Sequence, residues 1–449
     1  MKVVSVADQK VLLVRTEGQY SAVGSQCSHY NAPLVKALVG NRVRCPFHGA
    51  CFNIKTGDIE EYPGLDSLPC HKPAALVCAE TLRQNCYQGR IVMVTKDSLP
   101  PYDKPKLSKF QALNEDSGKI VLRSSEFFQQ YGIEVQLEQV VNVNTSDKAV
   151  TMKDGSLLRY DQLLISTGCA RPLSCPGSDL AGVKLLQRYE DAKDIHASCL
   201  GHKAVVVGTS FIMEVASYLS NKASSVAIVG TTKYPYEHSL GSQIGHMTMQ
   251  MLEEHNVKFY MNDAVTEIRG ENGSVKEVLL KSGTVLEADV VIAGIVIPNS
   301  DFLAGSEVEI DSRKAVVVDK FMRTNVADVF SAGDVTSFPL TIRGDQRVNV
   351  GHWQMSQAQR IAALNMLNKP TKIESVPFFW TVLLGKSIRY TYGEGYTEII
   401  IKGKVEERKF LAFYIDNVVV AAASLMFDPA VARLAELMAA GQHITKAQT

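Results

Sequence analysis

Two short segments, Cys27-Ser-His29-Tyr and Cys45-Pro-Phe-His48-Gly49, each carry a thiol and an imidazole separated by one or two residues. Four such ligands on one centre must come as mixed pairs from two facing loops. Pro46 and Gly49 suit a tight turn that presents backbone N–H groups to the centre. A [2Fe-2S] cluster held by two thiolates on one iron and two imidazoles on the other needs this mixed pairing. A tetrahedral structural zinc is the competing use, but finger spacing groups the cysteines and the histidines separately.

The stretches 26–34 and 44–53 resemble the Rieske domains of ferredoxins and ring-hydroxylating oxygenases more than those of respiratory complexes. The respiratory kind carries an extra cysteine in each loop, and here Ala32 and Phe47 stand around those places. The resemblance implies Cys27, His29, Cys45 and His48 as ligands and a cluster potential near about −150 mV.

With 449 residues and 46% hydrophobic content the chain buries more than one core, and its length suggests about three domains. The formal charge is zero and no Lys/Arg run exists, which argues against a nucleic-acid partner. No apolar run reaches the roughly 18 residues of a membrane span. Nine cysteines, an odd number without a small-domain framework, indicate a reducing compartment. Cytosol is the expectation, and a mitochondrial address stays open because Met1 begins almost inside the first strand.

Short β-rich runs at Lys10–Thr16, Arg42–Cys45 and Ala50–Asn53 predict an antiparallel β module over residues 1–72. A helix over Ala75–Gln84 and a strand over Arg90–Thr95 then open α/β territory. Strands are expected at Tyr160–Ser166, Ala204–Val207, Val226–Val229, Val257–Tyr260 and Val290–Ala293. Helices at Phe211–Leu219 and Gly245–Glu254 between some of them predict parallel sheets in two Rossmann-like nucleotide-binding domains. Antiparallel strands (Glu398–Ile401, Lys409–Ile415, Val418–Ala423) and a helix, Pro429–Ala440, close an α+β domain.

Two motifs carry the chemistry of the α/β part. Ala204-Val-Val-Val-Gly208-Thr-Ser210 runs from a strand through a glycine turn into a helix, which sets a dinucleotide pyrophosphate against backbone N–H groups. Only the first glycine of G-x-G-x-x-G is present, so a plain strand-turn-helix competes. Ser166-Thr167-Gly168 looks like the turn leading from a flavin domain to a nicotinamide domain. Thr324 to Asp334, ending Ser-Ala-Gly333-Asp334, resembles the second flavin fingerprint, with Asp334 directed at the ribityl hydroxyls; a structural cap is the alternative.

Taken together, residues 9–445 resemble the apoptosis-inducing-factor-like proteins with an N-terminal Rieske domain, a branch of the pyridine-nucleotide-dependent flavin reductases. The run Pro101-Tyr-Asp-Lys-Pro-Lys-Leu-Ser-Lys109, the stretch His352 to Gln359, and Phe379-Trp380 through Tyr390 carry it further. The resemblance implies that Lys109 approaches the flavin ring and pairs with Glu214, although a surface salt bridge would look the same in sequence. It likewise places His352 and Trp353 at the start of a helix aimed at the flavin, where core packing is the other use of the Trp. No Cys-x-x-x-x-Cys pair follows a flavin glycine turn, which disfavours a disulfide reductase of the glutathione type.

The expected order is a Rieske domain (1–72), an FAD-binding domain (73–170 and 297–372), an NAD(P)H-binding domain (171–296) and a C-terminal reductase-type domain (373–449). The implied path runs from NAD(P)H through FAD to the [2Fe-2S] cluster and an unknown electron acceptor; the oligomeric state is not specified. Three departures bear on it. Between Cys70 and Leu76 the family's first strand and G-x-G-x-x-G turn have no counterpart, about sixty residues by comparison with one βα turn, which puts the FAD site in question. A glycine is absent between Ile212 and Met213 and another between Gln359 and Arg360; each loss turns the helical residues that follow by about 100°, enough to misplace Glu214. Where an acidic residue would bind the NAD ribose, Gly230-Thr-Thr-Lys233 stands, so NADPH is not repelled. The rival reading is a flavin-deficient Rieske electron carrier or an apoptosis-related interaction protein.

Overall fold

The protein, seen here in a computed structural model, is described except at residues 7–8, 17–18, 28–31, 36–37, 48, 55–58, 62–73, 109–119, 170–172, 295–296, 342–343, 350–354, 375 and 392–394. The chain begins with β1 (Lys2–Val6), β2 (Gln9–Thr16) and β3 (Gln19–Gly24), an antiparallel sheet in that order. On β2 the alternation is plain: Leu12 and Val14 are fully buried while Arg15 is exposed. A second antiparallel sheet follows, formed by β4 (Leu38–Val39), β5 (Arg42–Arg44), β6 (Cys51–Asn53) and β7 (Ile59–Glu61). Leu12, Val14, Cys27, Val43, Cys45 and Ile54 share one small core, which puts both candidate thiols in the same hydrophobic cluster.

The α/β part starts with helix α1 (Ala74–Gln84) and β8 (Ile91–Thr95), and β8 pairs in parallel with β9 (Ile133–Leu137). Further along, β10 (Leu163–Ile165) closes one flavin-side segment. A five-stranded parallel sheet is then built from β11 (Val183–Leu185), β12 (Lys203–Val207), β13 (Ser225–Gly230), β14 (Val257–Met261) and β15 (Val290–Ala293), in the order β11-β15-β12-β13-β14. Helices α2 (Tyr189–Cys199), α3 (Met213–Leu219) and α4 (Glu237–Glu253) make its crossovers. All four residues of β15 are buried, as a parallel strand covered on both faces requires. After it the chain returns to the flavin side, where β16 (Val329–Ser331) pairs in parallel with β10.

Helix α4 begins eight residues ahead of the expected Gly245. Glycines at 241 and 245 hide its first turns from any propensity argument. Gly241 breaks the helix locally at φ 78, and a Cβ there would fall 2.7 Å from Ile399 Cδ1, so the C-terminal sheet approaches closely. Helix α3 starts at Met213 rather than Phe211.

Helix α5 (Met355–Met366) packs on α1. The last domain is an antiparallel sheet of β17 (Phe378–Leu383), β18 (Lys386–Thr391), β19 (Glu398–Lys404), β20 (Lys409–Asp416) and β21 (Val418–Leu425), ordered β17-β18-β21-β20-β19. Helix α6 (Ala430–Ala439) covers it through Val431, Ala432, Ala435 and Met438. Among the described residues no helix is long and apolar enough to cross a membrane.

Phe410 on β20 is fully buried in the largest core. Phe410→Ala should cost about 3–5 kcal/mol and lower the thermal midpoint by roughly 3–5 °C; an unchanged melting curve would contradict this packing.

Candidate functional site

The β module places Cys27 and Cys45 at the feet of two loops, 0% and 1% exposed. The N–H of Cys27 donates to the Ala32 carbonyl at 2.7 Å, that of Cys45 to the Ala50 carbonyl at 2.6 Å, and Gly49 N–H to the Cys45 carbonyl at 3.0 Å. Each loop is therefore closed by its own backbone around its thiol. His29 and His48 lie outside the described residues.

At the carboxyl ends of β10 and β16 four expected residues come together. Gly168 and Gly333 take φ 67 and 93, and Asp334 is 4% exposed. The Asp334 carbonyl accepts from Cys169 Sγ at 3.1 Å and from Asn349 Nδ2 at 3.2 Å, tying the two turns together. Thr167 Oγ1 donates to the Asn299 carbonyl at 2.7 Å. Burial, and then the Asp334 charge, push the Cys169 thiol up, so it stays protonated. His352 and Trp353, expected on this side, lie outside the described residues.

Gly208 ends β12 at φ 125, and a Cβ on it would stand 3.2 Å from Ile212 Cγ2 and 3.4 Å from the Gly294 carbonyl. Only glycine fits such a turn. Its N–H donates to the Val229 carbonyl at 2.9 Å, and Ser210 beyond it is exposed.

Glu214, on α3, is 4% exposed. Its Oε1 accepts from the Val382 N–H at 2.9 Å and from Thr381 Oγ1 at 3.2 Å, and its Oε2 from Ser108 Oγ at 2.5 Å. Lys109, the expected partner, lies outside the described residues, directly after Ser108. Helix α3 begins at Met213, so Glu214 is its second residue. Because the Thr381 hydroxyl gives its proton to Glu214, the Tyr236 hydroxyl, 3.0 Å away, must donate to Thr381. Burial first, and then the Glu214 charge, hold the Tyr236 and Tyr390 phenols well above their usual range.

Sequence reasoning missed Ser108, Thr381 and Tyr236 as partners of Glu214. It also missed Arg44, Arg389 and Glu436, which surround the Cys45 loop. Gly230-Thr-Thr-Lys233 closes β13 as expected, with the Lys233 N–H donating to Glu237 Oε2 at 2.9 Å. Hydrogen bonds to Glu237, Ser242 foremost, keep that carboxyl below its usual range.

Comparison with known proteins agrees with this layout. The Rieske [2Fe-2S] domain model matches residues 1–72, and the pyridine nucleotide-disulphide oxidoreductase model matches residues 72–359. Apoptosis-inducing factor 3 of Homo sapiens is 43% identical, aligned over 99% of this chain and 83% of its own. The rubredoxin-NAD(+) reductase of Pseudomonas putida is 31% identical over 70% of this chain and 83% of its own. Among solved structures, a ferredoxin reductase for the CYP199A2 system from Rhodopseudomonas palustris superposes with TM-score 0.78, covering 83% of this chain and 93% of that one at 22% identity. At that identity the likeness speaks for the fold. The chain thus belongs to the pyridine nucleotide-disulphide oxidoreductases, as an NAD(P)H-dependent flavoprotein oxidoreductase with a Rieske [2Fe-2S] domain at its N-terminal end.

Proposed function

We propose that this chain draws electrons from NAD(P)H at the Gly208 turn and passes them singly to a cluster at Cys27, His29, Cys45 and His48, and on to an acceptor outside the chain. FAD, when bound, would supply the conversion of a hydride's electron pair into single electrons, the form a [2Fe-2S] centre takes. The observation that carries the reading is the meeting of Gly168, Gly333 and Asp334 at one end of paired parallel strands, the place where open α/β sheets bind ligands. Thr167, Gly168, Gly333 and Asp334 suit the ribityl half of a flavin, and Gly208 and Ser210 suit the nicotinamide dinucleotide. Glu214, with Lys109, His352 and Trp353, would line the flavin ring. The buried thiols of Cys27 and Cys45 suit the all-thiolate iron of the cluster. The compartment proposed is the cytosol.

The domain ranges proposed are 1–72, 73–170 with 297–372, 171–296 and 373–449, and the flavin domain lacks its first strand and glycine turn. Two observations support the loss. Among the described residues β8 pairs with β9 and β10 with β16 in separate sheets, while Val94 of β8 packs into the core under β10 and β16. Gln359 on α5 is fully buried, with neither side-chain polar atom hydrogen-bonded among the described residues, as a lost neighbour would leave it. The alignment with the human relative extends over 502 positions against 449 residues here, so part of that relative has no counterpart. This favours the second reading, a Rieske electron carrier or apoptosis-related interaction protein without flavin.

An anaerobic absorbance spectrum with iron, zinc and released flavin quantified in the same sample separates the two. Rieske bands with stoichiometric FAD support the reductase; Rieske bands without flavin leave the carrier. His48→Ala should bleach the cluster and spare nucleotide binding, and retained iron would refute that ligand. Asp334→Ala should lower flavin content alone.

The β13 turn yields a further expectation. Lys233→Glu should shift the NADPH-to-NADH preference in kcat/KM toward NADH by about tenfold; an unchanged ratio would remove the turn from cofactor choice. Glu214→Ala leaves three donors facing a void. Flavin reduction should slow by at least about tenfold in stopped flow, with about 2 kcal/mol of stability lost; full-speed reduction would make Glu214 purely structural.

A further inference from the structure

Contacts from the C-terminal domain converge on the five-residue loop 45–49 and on Arg44 beside it. Arg389 on β18 donates from Nε to the Phe47 carbonyl at 2.7 Å, and its guanidinium lies over the Phe47 ring, 5.4 Å from the centroid. Asp428 holds that guanidinium from behind at 2.7 Å. Gly49, at φ 79, abuts Phe378 of β17 so closely that a Cβ would stand 2.6 Å from Phe378 Cδ1. Arg44, which opens the loop, is fully buried and donates one guanidinium N–H to the Gly49 carbonyl at 2.7 Å. Its Nε and Nη2 meet Glu436 of α6, itself 1% exposed, and Arg42 Nε stands 3.6 Å from the other Glu436 oxygen.

A buried ion pair adds little net stability, because desolvation offsets its attraction, but its directed geometry selects one arrangement over its neighbours. The charged contacts therefore supply the register of the loop on the sheet. The register matters because the strand that meets the loop at Phe378 also meets Glu214 through Thr381 and Val382. Four residues of extended chain span roughly 13 Å at about 3.3 Å each, so one rigid strand links the two sites.

We propose that Arg389 and the Arg44–Glu436 pair are positioning residues that fix the Cys45–His48 loop on the C-terminal sheet, making the Rieske domain a permanently docked carrier rather than a swinging one. The proposal rests on the assignment of Cys45 and His48 as cluster ligands. Electrons can then reach the cluster with no domain movement, and Arg389 brings positive charge to the loop, which favours the reduced, more negative cluster.

The test uses the full chain with its cluster in place and reads hydrogen exchange of the loop and β17 amides, iron content, the electron paramagnetic resonance spectrum and the midpoint potential. In the wild-type protein the loop and β17 should exchange together and slowly, with no population of an undocked form. Glu436→Gln and Arg389→Met should each raise exchange in both segments by at least about tenfold, with iron content unchanged. Arg389→Met should also lower the midpoint potential, while Arg389→Lys restores it. The double variant Arg44→Met with Glu436→Leu, which removes both buried charges, guards against simple misfolding: it should keep the domain attached but lose the single register, seen as broadened exchange. Fast exchange of the loop in the wild-type protein would overturn the proposal. So would unaltered exchange and potential in both single variants. A wild-type chain with no iron would instead refute the ligand assignment.

Discussion

A carboxylate with almost no access to water holds the molecule's parts in one arrangement. Glu214 comes from the nicotinamide-side helix, Ser108 from the flavin side, and Thr381 and Val382 from the C-terminal sheet, and all three donors point at its two oxygens. Burying a charged carboxylate alone costs far more than a single hydrogen bond returns, so the group is tolerable only with its donors present together. Each donor sits on a different unit from the acceptor, and the requirement therefore becomes a constraint on domain arrangement. Tyr236 extends the network, since its backbone N–H also donates to the Thr209 carbonyl at the nucleotide turn.

The parallel strands on the two sides of the α/β part are arranged differently. On the nicotinamide side five strands run in unbroken register, every internal one bonded on both edges. On the flavin side, among the described residues, β8 pairs with β9 and β10 with β16 in separate sheets. Helices α1 and α5 pack on each other, Cys78 Sγ lying 3.8 Å from Met366 Sδ. Layer packing depends on side-chain volume, whereas a sheet depends on backbone donors that only another strand supplies.

Legibility in the sequence followed the range of the interaction. The Cys45 loop and the Gly333-Asp334 turn were readable because their chemistry lies within a few consecutive residues. Strands such as Val290–Ala293 were readable because burial on both faces leaves an apolar run. Helix α4 was half hidden, as its first two turns contain Gly241, retained for the close approach of Ile399. Arg44 and Glu436 lie 392 residues apart, and Arg389 and Phe47 342 apart. No periodicity or spacing joins such partners; only the fold does.

That difference in range separates two kinds of residue in one functional unit. Residues that hold a cofactor act through local geometry and are written as motifs. Residues that set the distance between two cofactor sites act between domains and leave no motif. Strand β17, Phe378-Phe-Trp-Thr-Val-Leu383, acts in the second way although Phe379-Trp380 also carries the family resemblance. Its ends touch Gly49 at one site and Glu214 at the other. A shift of its register by one residue would exchange the two faces of the strand. Phe378 would leave the Gly49 carbonyl loop and Thr381 would leave Glu214 in the same movement, so the spacing of the two centres is encoded in register rather than in residue type.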